Sequence, residues 1–191
     1  MKMLKVFGVA LLVLVLAAPA LAAEIYGRVV AYDKDSKKIT LIEDKLGWTN
    51  PARPEFTVLP AKEFILQEDP GLMAPKVGGR LRIDLEKKEI IIYNPATKNI
   101  ETFAVEIMDR KDTISPDDDM VKGKTFPVVN KEKSEITIYS PRQKNVSTIK
   151  VPAKYMNLNL PAHVWDNAND VKITYNEPGK ATGFVNITKS K

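Results

Sequence analysis

The chain has 191 residues, 13 prolines, one histidine, no cysteine and a formal net charge of +5. Without a thiol there is no disulfide, thiolate metal site, cysteine nucleophile or lipidated cysteine anchor. Acidic and basic residues interleave, as in "RIDLEKKE" and "NKEKSE", so the sequence has no one-sided basic stripe for nucleic-acid phosphates.

The chain opens "MKMLKVFGVALLVLVLAAPALAAEIYG". Lys2 and Lys5 form a positive start, Val6 to Ala18 an apolar core, and Ala20-Leu21-Ala22 a small-x-small cleavage site, the order of a secretory signal peptide over 1–22. The uncharged run continues to Ala23, 18 residues in all, the short limit of a membrane span. An uncleaved anchor is therefore the alternative, and Pro19 with its flanking alanines favours cleavage. The expected mature chain starts at Ala23 with a charge of about +3. It is periplasmic or secreted in a bacterium, and touches the membrane only through the signal peptide before cleavage. A cysteine-free composition suits that compartment.

From residue 23 onward, short alternating runs dominate. "GRVVAYDKDSKKITLIED" (27–44) reads as strand, polar turn and strand. "FTVLPAKEF" (56–64) follows a long connection, "EDKLGWTNPARPEF" (43–56). In "GRLRIDLE" Leu81, Ile83 and Leu85 face one way, with Arg80, Arg82 and Asp84 opposite. "EITIYS" and "DVKITYN" repeat the pattern, with Ile136 and Ile138, then Val171 and Ile173, on the apolar face. Turns such as "DKDSKK", "NPATKN", "NKEKSE" and "SPRQKN" separate them. The expected class is all-β.

Several stretches occur twice. "VVAYDKDSKKITLI" (29–42) matches "FPVVNKEKSEITIY" (126–139), "FTVLPAKEF" (56–64) matches "STIKVPAKY" (147–155), and "LRIDLEKKEIIIYN" (81–94) matches "HVWDNANDVKITYN" (163–176). This predicts an internal duplication: a β-module over 23–107, a linker over 108–122 and a second module over 123–191. Pro60 and Pro152 are then expected at equivalent strand ends. The alternative is one β-sandwich of two related halves. The linker, "MDRKDTISPDDDMVK", lacks the ligand spacing and glycine of a calcium loop despite Asp117 and Asp119.

The first module resembles the small exported OB-like β-barrel domains of bacteria, many of unknown function. The resemblance rests on Gly27, Val29 and Asp33, then Ile39-Thr40-Leu41, then Phe56, Val58 and Pro60, then Gly78 and Leu81. It implies two tandem OB-like small barrels. Periplasmic copper and silver chaperones share this cadence and bind Cu(I) through a His, a Met-x-Met pair and a capping Trp. Trp48 stands near the capping place. Phe56-Thr57-Val58 replaces the methionine pair and the module has no histidine, so no metal site is assigned.

Trp48 and Arg53, in the long connection, and Trp165, beside the "DNAND" turn, are the candidate binding residues. His163 aligns with the apolar Leu81, so it is expected in a core or at a strand edge; in an enzyme it could serve as a general base with a nearby carboxylate such as Asp166. No phosphate loop or dinucleotide fingerprint is present. The expected function is an exported, non-catalytic protein, with no cofactor, binding an unidentified protein or envelope polymer through its loops. An envelope carbohydrate-active enzyme using His163 is the second reading, and a metal chaperone the third.

Overall fold

The computed structural model describes residues 22–50, 53–141, 143–158 and 160–189. Apart from Ala22, the segment read as a signal peptide lies outside the described residues. The protein is all-β. Its strands are β1 (Ala23–Asp33), β2 (Lys38–Asp44), β3 (Phe56–Ile65), β4 (Arg80–Asp84), β5 (Glu89–Asn94), β6 (Asn99–Ala104), β7 (Glu106–Asp112), β8 (Val128–Asn130), β9 (Glu135–Ser140), β10 (Asn145–Lys150), β11 (Asp170–Glu177) and β12 (Lys180–Asn186). One helical turn, α1 (Ala153–Met156), and 3-10 turns at Gly71–Met73 and Ala162–Trp165 complete it.

One type of turn recurs at five hairpins. The residue four places after Asp33, Asp84, Asn94, Asn130 and Ser140 has positive φ: Lys37, Lys88, Lys98, Ser134 and Lys144, between 49° and 56°. The opening carboxylate or amide caps the turn where its bonds are recorded. Asp33 accepts from the backbone N–H of Asp35 and Ser36, Asp84 from Glu86 and Lys87, Asn94 from Ala96, and Asn130 from Lys133. A short polar side chain bonding its own backbone specifies such a turn locally.

The first three strands and the last two close into a barrel in the order β1-β11-β12-β3-β2. Neighbours are antiparallel except β3 and β12, which run parallel where Lys180 meets Ile65. Ile25, Val29, Ile39, Leu41, Phe64, Val171 and Ile173 fill the interior. Between β3 and β11 the chain builds a second body from the sheets β4-β5-β6 and β7-β10-β9-β8. Ile90, Ile92 and Phe103 of one sheet meet Ile136, Ile138 and Ile149 of the other, and Tyr155, Met156, Val164 and Trp165 extend this core.

The strands thus do not sort into 23–107 and 123–191. β1 pairs with β11, from Ala23↔Tyr175 to Arg28↔Asp170, so the barrel needs both ends of the chain. The stretch 108–122 begins inside β7, which pairs with β10. It then folds down through Ile114 and Val121, both buried against Val146. The two "PAK" segments also differ. Pro60 lies within β3, whereas Pro152 precedes α1. Phe64 enters the barrel core and Tyr155 the other one. Val58 is only half-buried, while Ile149 and Val151 are buried.

Arg28 fastens the two bodies. Its Nε and Nη2 donate to the two carboxylate oxygens of Asp170 at 2.8 and 3.0 Å, and its Nη1 donates to the carbonyl of Leu81 at 2.7 Å. The guanidinium also lies 4.3 Å from the Phe56 ring centroid. An apolar seam of Val30, Ile42, Phe56, Leu81 and Tyr93 surrounds it. Beside the seam, Gly78 and Gly79 pass so close to residues 163–168 that a side chain at Gly78 would overlap the Asp166 carbonyl. Gly79 N donates to His163 O at 2.9 Å and Arg80 N to Asp166 O at 3.0 Å.

Two outcomes follow from this connectivity. Asp170→Ala strands a buried guanidinium and is expected to lower unfolding stability by about 3 kcal/mol, read as a shifted urea midpoint. Cleavage within 113–127 is expected to leave the two fragments associated on gel filtration, because β1 and β11 lie on opposite sides of the cut; separation into two folded pieces would contradict it.

Candidate functional site

The long connection after β2 is organised by one buried carboxylate. Asp44 is 1% exposed. It accepts from the backbone N–H of Leu46 at 3.1 Å, Trp48 at 3.1 Å and Glu55 at 2.8 Å, tying together both ends of the loop. Lys45 N donates to Glu55 O at 2.8 Å and closes the base. At the tip, Gly47 and Trp48 both have positive φ, 56° and 67°. For a bulky side chain that conformation costs of order 1–3 kcal/mol and persists only where the surroundings enforce it.

The result is an aromatic shelf. Trp48 stacks almost parallel on Tyr26 of β1, with centroids 6.2 Å apart and planes 9° apart. Both rings are half-buried. The Tyr26 hydroxyl donates to Glu24 at 3.1 Å, and Lys172 holds the other oxygen of that carboxylate at 2.9 Å. Burial, then the bond to Glu24, raises the Tyr26 hydroxyl pKa. The bond from Lys172, then that from Tyr26, lowers the carboxyl of Glu24. Arg53 is exposed on the returning limb of the same loop, its N–H donating to Asn50 O at 2.9 Å. A flat aromatic surface with a guanidinium on the same loop can stack on a sugar ring or a peptide group and bond its polar edge.

Trp165 is almost wholly buried and reaches a surface only as part of a cleft wall. It closes the 3-10 turn Ala162–Trp165 and is 2% exposed, edge-on to Phe103 with centroids 6.4 Å apart. The tight turn swings Val164 and Trp165 together into the core. A cleft of about 700 Å³ opens beside it, lined by Val129, Tyr155, Met156 and Leu160 among others.

His163 is exposed, not in a core, because the same 3-10 turn points it outward. Its imidazole makes no hydrogen bond to Asp166. That carboxylate is instead held by Lys76 and by the N–H of Asn167.

Several important residues escaped the sequence reading. Asp44 carried a legible signal, an acidic residue ending a strand before a long loop. Tyr26 and Arg28 carry no signal of their own in the β1 sequence, and nothing local reveals that a loop and a second body cover them. Arg80, almost wholly buried at 6% exposure, read as a solvent-facing residue.

The two tryptophans differ enough to be separated in solution. Acrylamide is expected to quench the Trp48 emission and spare that of Trp165. Trp48→Phe should then remove most of the quenchable signal and Trp165→Phe leave it, measured by Stern–Volmer titration.

No curated protein and no solved structure matches this sequence. A family model does match, over residues 21–191, and the chain accordingly belongs to DUF4881, a domain of unknown function.

Proposed function

We propose that this protein is an exported, non-catalytic binding protein that engages an envelope polymer or a protein partner through the β2–β3 loop of an OB-like barrel. The observation that carries this reading is the Asp44-held loop, which keeps Trp48 in a costly conformation on Tyr26. Strain of that kind is retained where a side chain must be presented in one fixed pose. A pre-formed loop also loses little conformational freedom on binding.

The barrel supports the OB-like reading. Its circuit of five strands, with β3 parallel to β12 and a long excursion between β3 and β11, fits a Greek-key barrel of that class. In such barrels, loops and one strand face present the ligand surface. Export is supported by the charge, apolar and small-residue order of 1–22, by a family match that begins at 21, and by β1 opening at Ala23. A bacterial periplasm or the medium is the corresponding location.

The test uses the mature chain and insoluble peptidoglycan in a co-sedimentation assay. Binding without release of soluble fragments is expected. Trp48→Ala removes an anchor of a kind worth about 2 kcal/mol at interfaces, about a thirtyfold weaker association. Unchanged binding by Trp48→Ala would move the surface elsewhere. Release of soluble sugar would make the protein an enzyme. If the native chain does not sediment, the polymer arm fails and the protein-partner arm stands alone, to be read by crosslinking from position 53.

A further inference from the structure

Away from the aromatic loop, a cavity of about 340 Å³ opens where β4, the 163–169 segment and the end of β9 converge. That volume lies at the small end of ligand sites, about 300–1,000 Å³, and greatly exceeds the roughly 30 Å³ that one water occupies. Its walls include Lys76, Arg80, Lys124, Tyr139, Asp166 and Asn169.

The polar groups of this cavity are unevenly satisfied. Lys76 is paired with Asp166. Arg80, in contrast, is 6% exposed and its Nη1 is buried without a hydrogen-bond partner. The hydroxyl of Tyr139 is likewise buried and unpartnered. Asn169 accepts at Oδ1 from Lys76 N at 2.8 Å and from Asn186 Nδ2 at 3.1 Å, which fixes its amide and leaves its own Nδ2 to donate. Lys124 lines the same space, and its ammonium forms no ion pair among the described residues. Of four charged side chains one is acidic, and Lys76 already neutralises it. Among the described lining residues the groups left over are therefore mainly donors, two of them cationic, and the one carboxylate is already engaged.

A buried guanidinium without acceptors is costly, and an anion removes that cost. Burial, reinforced by nearby Arg28 and opposed by Asp166, pushes the Arg80 pKa down to about 10, so the side chain remains a cation at neutral pH. Guanidinium geometry matches the two oxygens of a carboxylate or phosphate, and phenol and amide N–H groups complete such a shell.

We infer that this cavity binds a small ligand through a carboxylate or phosphate group, received by Arg80 and Tyr139 with Asn169 and Lys124 at its edge. The site is separate from the β2–β3 loop and does not depend on it.

Calorimetric titration of the mature chain with sodium phosphate, sodium acetate and, at matched ionic strength, sodium chloride tests it. Saturable heat is expected with phosphate or with acetate and none with chloride; which anion responds identifies the group. Arg80→Met keeps an unbranched stem and removes the charge, and is expected to abolish saturation. Tyr139→Phe keeps the ring and should weaken binding several-fold, while Trp48→Ala should titrate like the native chain. If Arg80→Met does not fold, Tyr139→Phe and Lys124→Ala decide the matter. Absence of saturation with both anions overturns the inference, as does native-like binding by the Arg80 and Tyr139 variants, or by Tyr139 and Lys124 variants where Arg80→Met is unfolded.

Discussion

The guanidinium of Arg28 sits where the barrel and the second body meet, and the rest of the arrangement hangs on it. It joins β1 to Asp170 of β11 across 142 positions of sequence, and it reaches the backbone of β4 through the Leu81 carbonyl. Its side chain is about nine-tenths buried, as is that of Asp170. A buried pair of this kind gains little over an apolar replacement, but is damaging to break from one side. Its consequence here is topological. The barrel cannot close until the last two strands arrive, so the interposed body, whose hairpins are local, is free to form before the barrel does.

The outer face of β1 shows how one strand serves two purposes. Ile25 and Val29 point into the barrel, while Tyr26, Arg28 and Val30 share the opposite face. Val30 and Arg28 are roofed by β4 and its neighbours; two residues away from Arg28, Tyr26 is roofed by Trp48. A strand that would be polar-out in an isolated barrel is therefore covered along most of its length. The covering elements differ. The second body is held by the hydrogen bond from Arg28 to the Leu81 carbonyl and an apolar seam, the loop by the three hydrogen bonds of Asp44.

Strand positions and core faces were legible in the sequence because alternation and turn chemistry are local. Ile39, Leu41, Ile136, Ile138, Val171 and Ile173 are all buried, as their period of two requires. Connectivity was not legible, and the repeats show why. "DKDSKK", "DLEKKE", "NPATKN" and "NKEKSE" look alike because each encodes the same turn, with an Asx bond at its start and a left-handed residue four places on. Similar turns between similar strands produce similar sequence wherever they stand. The "PAK" echo carries less still: the same three letters continue a strand at 60–62, and at 152–154 they lead into a helical turn. The burial of Trp165 was not legible for a related reason, since a polar turn follows it in sequence while the 3-10 turn that contains it puts Val164 and Trp165 inside and His163 outside.

The contrast between Arg28 and Arg80 sharpens the functional argument. Both lie near the junction of the two bodies, both are buried, and Arg28 is near enough to Arg80 to disfavour its charge. Arg28 has two carboxylate oxygens, a backbone carbonyl and an aromatic face. Arg80 has Asp166 at a distance, already engaged by Lys76. If the fold needed only a bolt at this junction, one satisfied arginine would serve, and a methionine at 80 would pack without charge. A second buried guanidinium in the wall of a cavity that an unpartnered phenol also lines is a cost the scaffold bears with no return from its own recorded contacts. An anion from outside supplies the acceptor that the protein withholds.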